Sequence, residues 1–176
     1  AVPVAAATAC AGIIVGVVVK TGLGLSLANS LVKLAGGSIL ITLFFVMIAS
    51  LILGMGAPTT ANYVITSTIA APAIIALLAP DVPASAAPII VVLSAHFFVF
   101  YFGIIADITP PVALAAFSAA AISGGDPIKT GIHSAKLAIA AFIIPYMIVF
   151  SPALLMIDVT VLEIIWVVFT AMMGMI

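Results

Sequence analysis

The charge-free run from Ser38 to Pro80 is the feature that most limits how this chain can fold. As one α-helix it would extend for roughly 60 Å, about twice the hydrocarbon thickness of a bilayer. The segment must therefore turn back on itself. Its one suitable turning point is GMGAPTTANY, Gly54 to Tyr63, which combines two glycines, a proline, two threonines and an asparagine.

The composition is typical of a membrane protein. Hydrophobic residues make up 66% of the chain and charged residues 5%, whereas a soluble domain carries about 25% charged residues. The near-neutral charge gives no indication of a nucleic-acid partner or of a polybasic surface segment. With Cys10 as its single cysteine, the chain can form neither an internal disulfide nor a cysteine-based metal cluster. We therefore expect an all-α integral membrane protein without a cofactor.

The turning point divides the charge-free run into two arms, Ile39–Leu53 and Val64–Ala79. Each arm has about 15 residues and a helical length of roughly 23 Å, which is short for a full crossing. A re-entrant helical hairpin over residues 38–80, with its tip at 54–63, fits better than two complete spans. Ala79 to Pro88 then forms a surface loop.

Residues 88–123 form a second long apolar segment, which is interrupted at ADITPP, residues 106–111. One uninterrupted helix would measure about 50 Å. The two prolines of the interruption remove backbone donors and disfavour helix at Thr109. We predict a discontinuous transmembrane helix with arms at Ile89–Ile105 and Val112–Ile122.

The two ends of the chain predict further membrane helices. Residues 1–37 read as a transmembrane helix, Val2–Val19, followed by an interfacial amphipathic helix. Ser123–His133 is expected to be a loop. Residues 134–176 read as a closing transmembrane helix, Ala135–Leu155, and the start of one more helix. Because the apolar pattern continues to both ends, we expect the chain to be a piece of a larger membrane protein.

The two interruptions also indicate a binding site. Unpaired backbone at membrane depth is tolerated where it is buried in protein or lines a cavity. Apolar segments interrupted by glycine and proline are typical of the binding site of a secondary transporter. Carbonyls freed at the breaks suit a hard cation such as Na⁺, and half-helix N-termini suit an anionic solute. Asp107, the one carboxylate inside an apolar segment, is a functional candidate, with a helix cap as the alternative.

His96 supports a different hypothesis. It precedes Asp107 by about three helical turns and lies on the same face of a continuous helix. Such a pair could shuttle protons or bind a metal in an intramembrane enzyme. Since no third ligand is visible, a hydrogen-bonded structural histidine is the preferred interpretation. A channel-like or purely structural membrane subunit, in which the breaks shape a pore, is a further alternative.

The sequence around the two interruptions resembles a known family. LGMGAPTTANYVI (53–65) and FGIIADITPPVALAAFSAAAISGGDP (102–127) are similar to the large membrane subunit of TRAP transporters, the tripartite ATP-independent periplasmic type. These segments are most similar to the fused permeases, in which the small and large membrane subunits form one polypeptide. TPPVALAAF corresponds to a TPPVGLNLF-like pattern, with Ala113 in place of glycine and Ala115 in place of asparagine. At the hairpin tip, Ala57 stands where many members have an aspartate before the proline.

The resemblance implies a fold and a function. The fold would be the second half of an inverted-repeat, elevator-type transporter. The function would be Na⁺-symport of organic acids or related solutes across a bacterial or archaeal cytoplasmic (inner) membrane. A periplasmic solute-binding protein would deliver the solute, and a small membrane subunit or its fused equivalent would complete the permease. The hairpin would start from the periplasmic side, which places the Lys129–Lys136 segment in the cytoplasm.

The resemblance also implies roles for individual residues. Backbone or side-chain oxygens at the hairpin tip and the unwound stretch would hold Na⁺, from Gly54, Gly56, Thr59, Ala106, Asp107 and Thr109. Thr60 and Asn62 would contact the substrate, with the ion as the alternative partner of Asn62. Three prolines, Pro58, Pro110 and Pro111, would hold the breaks open.

Overall fold

The computed structural model describes residues 9, 12–13, 16–17, 20–54, 59–157 and 159–175. Over these residues the chain is all-helical. Its helices are α1 (Leu23–Leu34), α2 (Ile39–Gly54), α3 (Thr59–Ile69), α4 (Ala71–Leu78), α5 (Ile89–Ile105), α6 (Leu114–Ser123), α7 (Pro127–Leu137), α8 (Ile139–Phe150) and α9 (Val161–Met175). Short 3₁₀ segments occupy Ala84–Ala86, Ala106–Ile108 and Pro152–Leu155. The transmembrane helix expected at Val2–Val19 falls largely outside the described residues.

Helix α5 lies at the centre of the bundle. It packs against α2, α3, α4 and α8, and its buried residues point in several directions because the helix is apolar all round. Together with the following 3₁₀ turn, Ile89–Ile108 is long and apolar enough to cross a membrane. Two bent helix pairs reach that length jointly, α3 with α4 and α7 with α8. By length and composition, the described residues thus contain one to three candidate spans.

Aromatic side chains fasten α8 to α5. Phe98 and Phe102 of α5 are fully buried, and their ring centroids lie 4.9 Å apart. Tyr146 of α8 meets Phe98 edge to face at 5.1 Å, and Phe142 lies 6.0 Å from Phe102. Such tilted and edge-on pairs are the preferred aromatic geometries. The aromatic run of α5 therefore acts mainly as a helix contact.

The charge-free run forms two helical arms that pack on each other. The first arm is α2, and the second consists of α3 and α4, which meet at a bend of 41°. The bend follows from Pro72 in the first turn of α4, because a proline cannot donate a hydrogen bond to the carbonyl one turn earlier.

Part of the predicted hairpin tip is helical. Gly54 is the last described residue of α2, and Thr59–Tyr63 belong to α3. Residues 55–58 lie outside the described part of the chain. Three hydroxyls of α3, those of Thr66, Ser67 and Thr68, are accommodated within the helix because they donate to carbonyls of its own backbone. Thr66 Oγ1, for example, donates to the Asn62 carbonyl at 2.9 Å.

The second apolar segment breaks near the predicted place. Helix α5 ends at Ile105, and a 3₁₀ turn and an extended Thr109 follow. The next arm, α6, starts at Leu114 rather than at Val112. The delay has a local cause, since Ala113 is fully buried and adopts a left-handed conformation with φ of 36°. This conformation favours glycine, the residue that the TRAP-like pattern has at this position.

The expected loop Ser123–His133 is wrong over most of its length, because α7 begins at Pro127. Gly124, with φ of 72°, ends α6. Asp126 then caps α7 by accepting a hydrogen bond from the Lys129 backbone N–H at 2.8 Å, and Pro127 occupies the first turn. The sequence SGGDP is therefore a helix stop followed directly by a helix start.

The expected closing helix Ala135–Leu155 is divided. Its first residues belong to α7, which meets α8 at a bend of 42° near Ala138. Helix α8 contains Pro145 and ends at Phe150, and Pro152 begins the following 3₁₀ segment. The polar start of the predicted span is thereby separated from its apolar remainder.

Helix α7 packs closely against the break through a buried glycine. A Cβ added to Gly131 would lie 3.1 Å from Pro110 Cγ, 3.4 Å from Phe117 Cε1 and 3.5 Å from Ala113 Cβ. Even a single added Cβ would be tightly packed here, so a glycine favours the close approach of α7 to the break and α6.

We predict that Gly131→Leu lowers the stability of the protein by about 1–3 kcal/mol, because added methylenes overpack this contact. Gly174→Leu is the control, since a Cβ at Gly174 meets nothing within 4 Å. Thermal unfolding in detergent measures both variants. Equal unfolding temperatures for the two would contradict the close contact.

Candidate functional site

The side chain of Asn62 joins the hairpin to the broken helix. It lies in the first turns of α3, is fully buried, and donates from Nδ2 to the carbonyl of Gly103 at 2.7 Å. Gly103 lies within one turn of the 3₁₀ segment that ends α5. The hydrogen bond therefore fixes the second arm of the hairpin beside the break.

Small residues make room for this amide. A Cβ on Gly54 would collide with Asn62 Nδ2 and would lie 2.7 Å from Ala106 Cβ. A Cβ on Gly103 would lie 3.1 Å from the same Nδ2. The end of α2, the start of α3 and the break in α5 thus meet around one amide group, which we call the Asn62 junction (Gly54, Asn62, Gly103 and Ala106).

The carbonyl oxygen of the Asn62 side chain has no hydrogen-bond partner among the described residues, although it is buried. The hydroxyl of Ser50, one helical turn before Gly54 on α2, is buried and unpartnered in the same sense. An unsatisfied buried acceptor costs roughly 1–3 kcal/mol, and such atoms in native proteins point to a water or an ion. Neutral oxygens are ligands that hard cations accept.

A second contact joins the hairpin to the break. Thr59, the first residue of α3, donates from Oγ1 to Asp107 Oδ2 at 3.4 Å. The length makes this a weak hydrogen bond. Within the described part of the chain, this hydroxyl is the donor that reaches the carboxylate. The Asp107 side chain thus contacts the hairpin, whereas the alternative role as a helix cap would require a backbone N–H donor.

Thr109 completes the end of α5. Its Oγ1 donates to the Ile105 carbonyl at 2.7 Å, while its backbone N–H bonds to Ala106 at 3.3 Å. The side chain therefore satisfies the carbonyl that the helix can no longer pair. Next to this end, a mostly apolar cleft of about 180 Å³ separates α2 from Pro110.

The candidates from the sequence are thus only partly brought together. Three of them, Gly54, Asn62 and Ala106, belong to the Asn62 junction. Two more, Thr59 and Asp107, form the second contact between the hairpin and the break. Thr60 is exposed, and so is Pro111, the last residue of the break. Gly56 and Pro58 lie outside the described residues.

His96 is part of a different pair. Its Nδ1 lies 2.9 Å from the hydroxyl of Tyr63, in a cleft of about 280 Å³ whose other walls are Leu93, Phe97 and Phe100. His96 and Asp107 are separated by about 16 Å along the helix axis, so the structure does not assemble them into one site. Among the described residues, no three histidine, cysteine or acidic side chains are grouped for metal binding.

Sequence reasoning missed Ser50, Gly103 and the Tyr63 partner of His96. Gly103 carried a usable signal, because a glycine inside a helix of large apolar residues marks a close approach of another element. Ser50 carried none, since serines in membrane helices usually bond to their own backbone.

We predict that Gly54→Ala separates the hairpin from the break and lowers the unfolding temperature more than Gly103→Ala does. The order follows from the closer approach of a new Cβ to Asn62 at position 54. Gly174→Ala, in open space, is the matched control and should be neutral or slightly stabilising. If Gly54→Ala behaved like Gly174→Ala, the junction would not exist as described.

The sequence matches the family model described as "Tripartite ATP-independent periplasmic transporter, DctM component" over residues 1–162. This range includes the hairpin, the break, α7 and α8. The comparisons with curated proteins and with solved structures gave no match. The family is one of membrane transporters, in keeping with the apolar helices of the structure. The chain therefore belongs to the DctM-component family of TRAP transporters, the large membrane component of the permease.

Proposed function

We propose that this chain forms part of a Na⁺-coupled permease that imports organic acids or related small solutes. A periplasmic binding protein delivers the solute, and a small membrane subunit or its fused equivalent completes the permease in a bacterial or archaeal cytoplasmic membrane. The chain supplies one re-entrant hairpin and one discontinuous helix of an elevator-type transporter. Family membership supports the permease role, and the Asn62 junction supports the ion-coupled mechanism.

The observation that carries the proposal is the oxygen of the buried Asn62 side chain, which has no hydrogen-bond partner in the described part of the chain. Because its amide nitrogen donates to the Gly103 carbonyl, the orientation of the amide group, and with it the position of the oxygen, is fixed. A sodium ion beside it would satisfy this acceptor and would gain a neutral oxygen ligand. Carbonyls at the interrupted end of α5 are further ligands of the kind that discontinuous helices offer to Na⁺.

Charge at the break favours a cation. Asp107 is an acidic side chain in the 3₁₀ turn directly after α5. Opposite it, α3 begins at Thr59 and presents the positive end of its helix dipole. A cation next to the carboxylate and an anionic solute group at the start of α3 would each meet favourable charge.

Coupling follows if the ion binds the closed hairpin more tightly than the open one. Asn62 and Thr59 are the described contacts between the second arm and the break region. An ion held between these elements would add to the two hydrogen bonds and shift the population toward the closed state. Loss of the ion would weaken this closure and release the solute.

We predict that Asp107→Asn raises the Na⁺ concentration for half-maximal uptake by about tenfold or more. The substitution keeps the size of the side chain and its acceptor for Thr59, but removes a charge whose attraction to an ion about 4 Å away is worth several kcal/mol near a protein surface. Solute uptake into proteoliposomes that hold the complete permease, with its binding protein outside, measures the change.

Asp126→Asn is the matched control, because Asp126 caps α7 and asparagine caps a helix about equally well. We expect its Na⁺ dependence to equal that of the unmodified permease. An unchanged Na⁺ dependence in Asp107→Asn would remove the break from the ion site. Solute flux that needs no Na⁺ gradient in the unmodified permease would favour a channel-like subunit.

A further inference from the structure

Helix α7 carries a basic stripe on its exposed side. Lys129, His133 and Lys136 follow each other at intervals of four and three residues and are all exposed. Residues at this spacing lie on one helix face. The opposite face holds Gly131, which is buried against Pro110 and α6. The stripe therefore points away from the protein.

An apolar strip borders the basic one. Ile128 and Ile132 lie one turn apart, and 52% and 42% of their surfaces are exposed. A helix with a basic face beside exposed isoleucines is typical of the boundary between headgroups and acyl chains. The stems of the two lysines can lie along the same apolar surface while their ammonium groups reach outward.

The position of α7 in the chain agrees with this boundary. It connects α6 and α8, which are both strongly apolar. The 42° bend near Ala138 separates α7 from the direction of α8. Burying two lysines in hydrocarbon would be costly, so α7 lies at the end of the membrane segments and not among them.

The positive charge of the stripe is not neutralised by the described residues. The nearest acidic residue in sequence is Asp126, which receives the Lys129 backbone N–H at 2.8 Å and occupies the start of the helix. The described side chains form no ion pair with either lysine. Two ammonium groups and an imidazole thus face outward together.

We propose that the Lys129–His133–Lys136 stripe binds the phosphate headgroup of an anionic phospholipid, with Ile128 and Ile132 against the upper acyl chains. The charge of the stripe matches the phosphodiester, and the neighbouring apolar strip matches the chains that a free phosphate lacks. Because Gly131 holds the other face of α7 against Pro110, the bound lipid would lie on the outer side of the helix that supports the break.

The test is a titration of the complete permease in neutral detergent with a fluorescent phosphatidylglycerol at low salt. We expect Lys129→Gln/Lys136→Gln to weaken binding by about fivefold for each lysine removed. Lys20→Gln/Lys33→Gln removes the same charge from exposed positions elsewhere and should leave the affinity unchanged. Lys129→Arg/Lys136→Arg should retain it, because both positive charges are kept.

Three results would overturn the proposal. One is unchanged binding in the Lys129→Gln/Lys136→Gln variant. The second is an equal loss in the Lys20→Gln/Lys33→Gln variant, which would show a general effect of charge. The third is full displacement of the lipid by millimolar inorganic phosphate, which would identify a site for a free anion. None of these readouts depends on Na⁺-driven uptake, so the inference can fail or hold separately from the proposed function.

Discussion

The hydrogen bond from the Asn62 amide to the Gly103 carbonyl is the contact on which the arrangement of the hairpin depends. It forms at a fully buried contact between α3 and α5, where water cannot compensate for a lost partner. The amide can reach Gly103 because the neighbouring positions of α2 and α5 lack bulk. One polar side chain thereby joins the hairpin to the break, and its own oxygen is buried without a hydrogen-bond partner among the described residues.

The break is held from two sides. The hairpin contacts it through Asn62 and Thr59, and α7 packs against Pro110 at Gly131. Between these contacts, Thr109 donates its hydroxyl to the Ile105 carbonyl near the end of α5. A segment with interrupted backbone hydrogen bonds is tolerated within an apolar bundle where protein surrounds it in this way. The same support gives the proposed ion ligands fixed positions, which a binding site requires.

Much of this architecture follows from patterns that are visible in the sequence. The length of the charge-free run requires a turn, and the paired prolines at 110 and 111 place the end of α5 at Ile105. The sequence does not show which polar residues near the hairpin tip interrupt the helix and which lie within it. Thr59–Tyr63 look unsuited to a helix, yet they are helical, and the polar groups of Thr59 and Asn62 bond to the break region and not to their own backbone.

The residues of the candidate site, too, are only partly predictable from the sequence. Composition and spacing select Asp107 and Asn62, since polar groups in apolar segments are few. They do not select Gly103 or Ser50, whose importance arises from the elements that pack against them. The helix α7 was missed for a different reason, because the glycines before Asp126 suggest a loop while a cap and a proline start a helix at once. The roles of Gly103 and Ser50 depend on which helices pack against them, and no local sequence pattern shows this.

The central claim is that Na⁺ binds at the Asn62 junction. Thermal unfolding of the purified, complete permease in NaCl and in KCl of equal concentration tests it directly, because a ligand that binds the folded state raises its stability. The account predicts a higher unfolding temperature in NaCl than in KCl, and the loss of this difference in Asn62→Leu. A sodium-specific shift of full size in Asn62→Leu would contradict the claim, as would the absence of any shift in the unmodified permease.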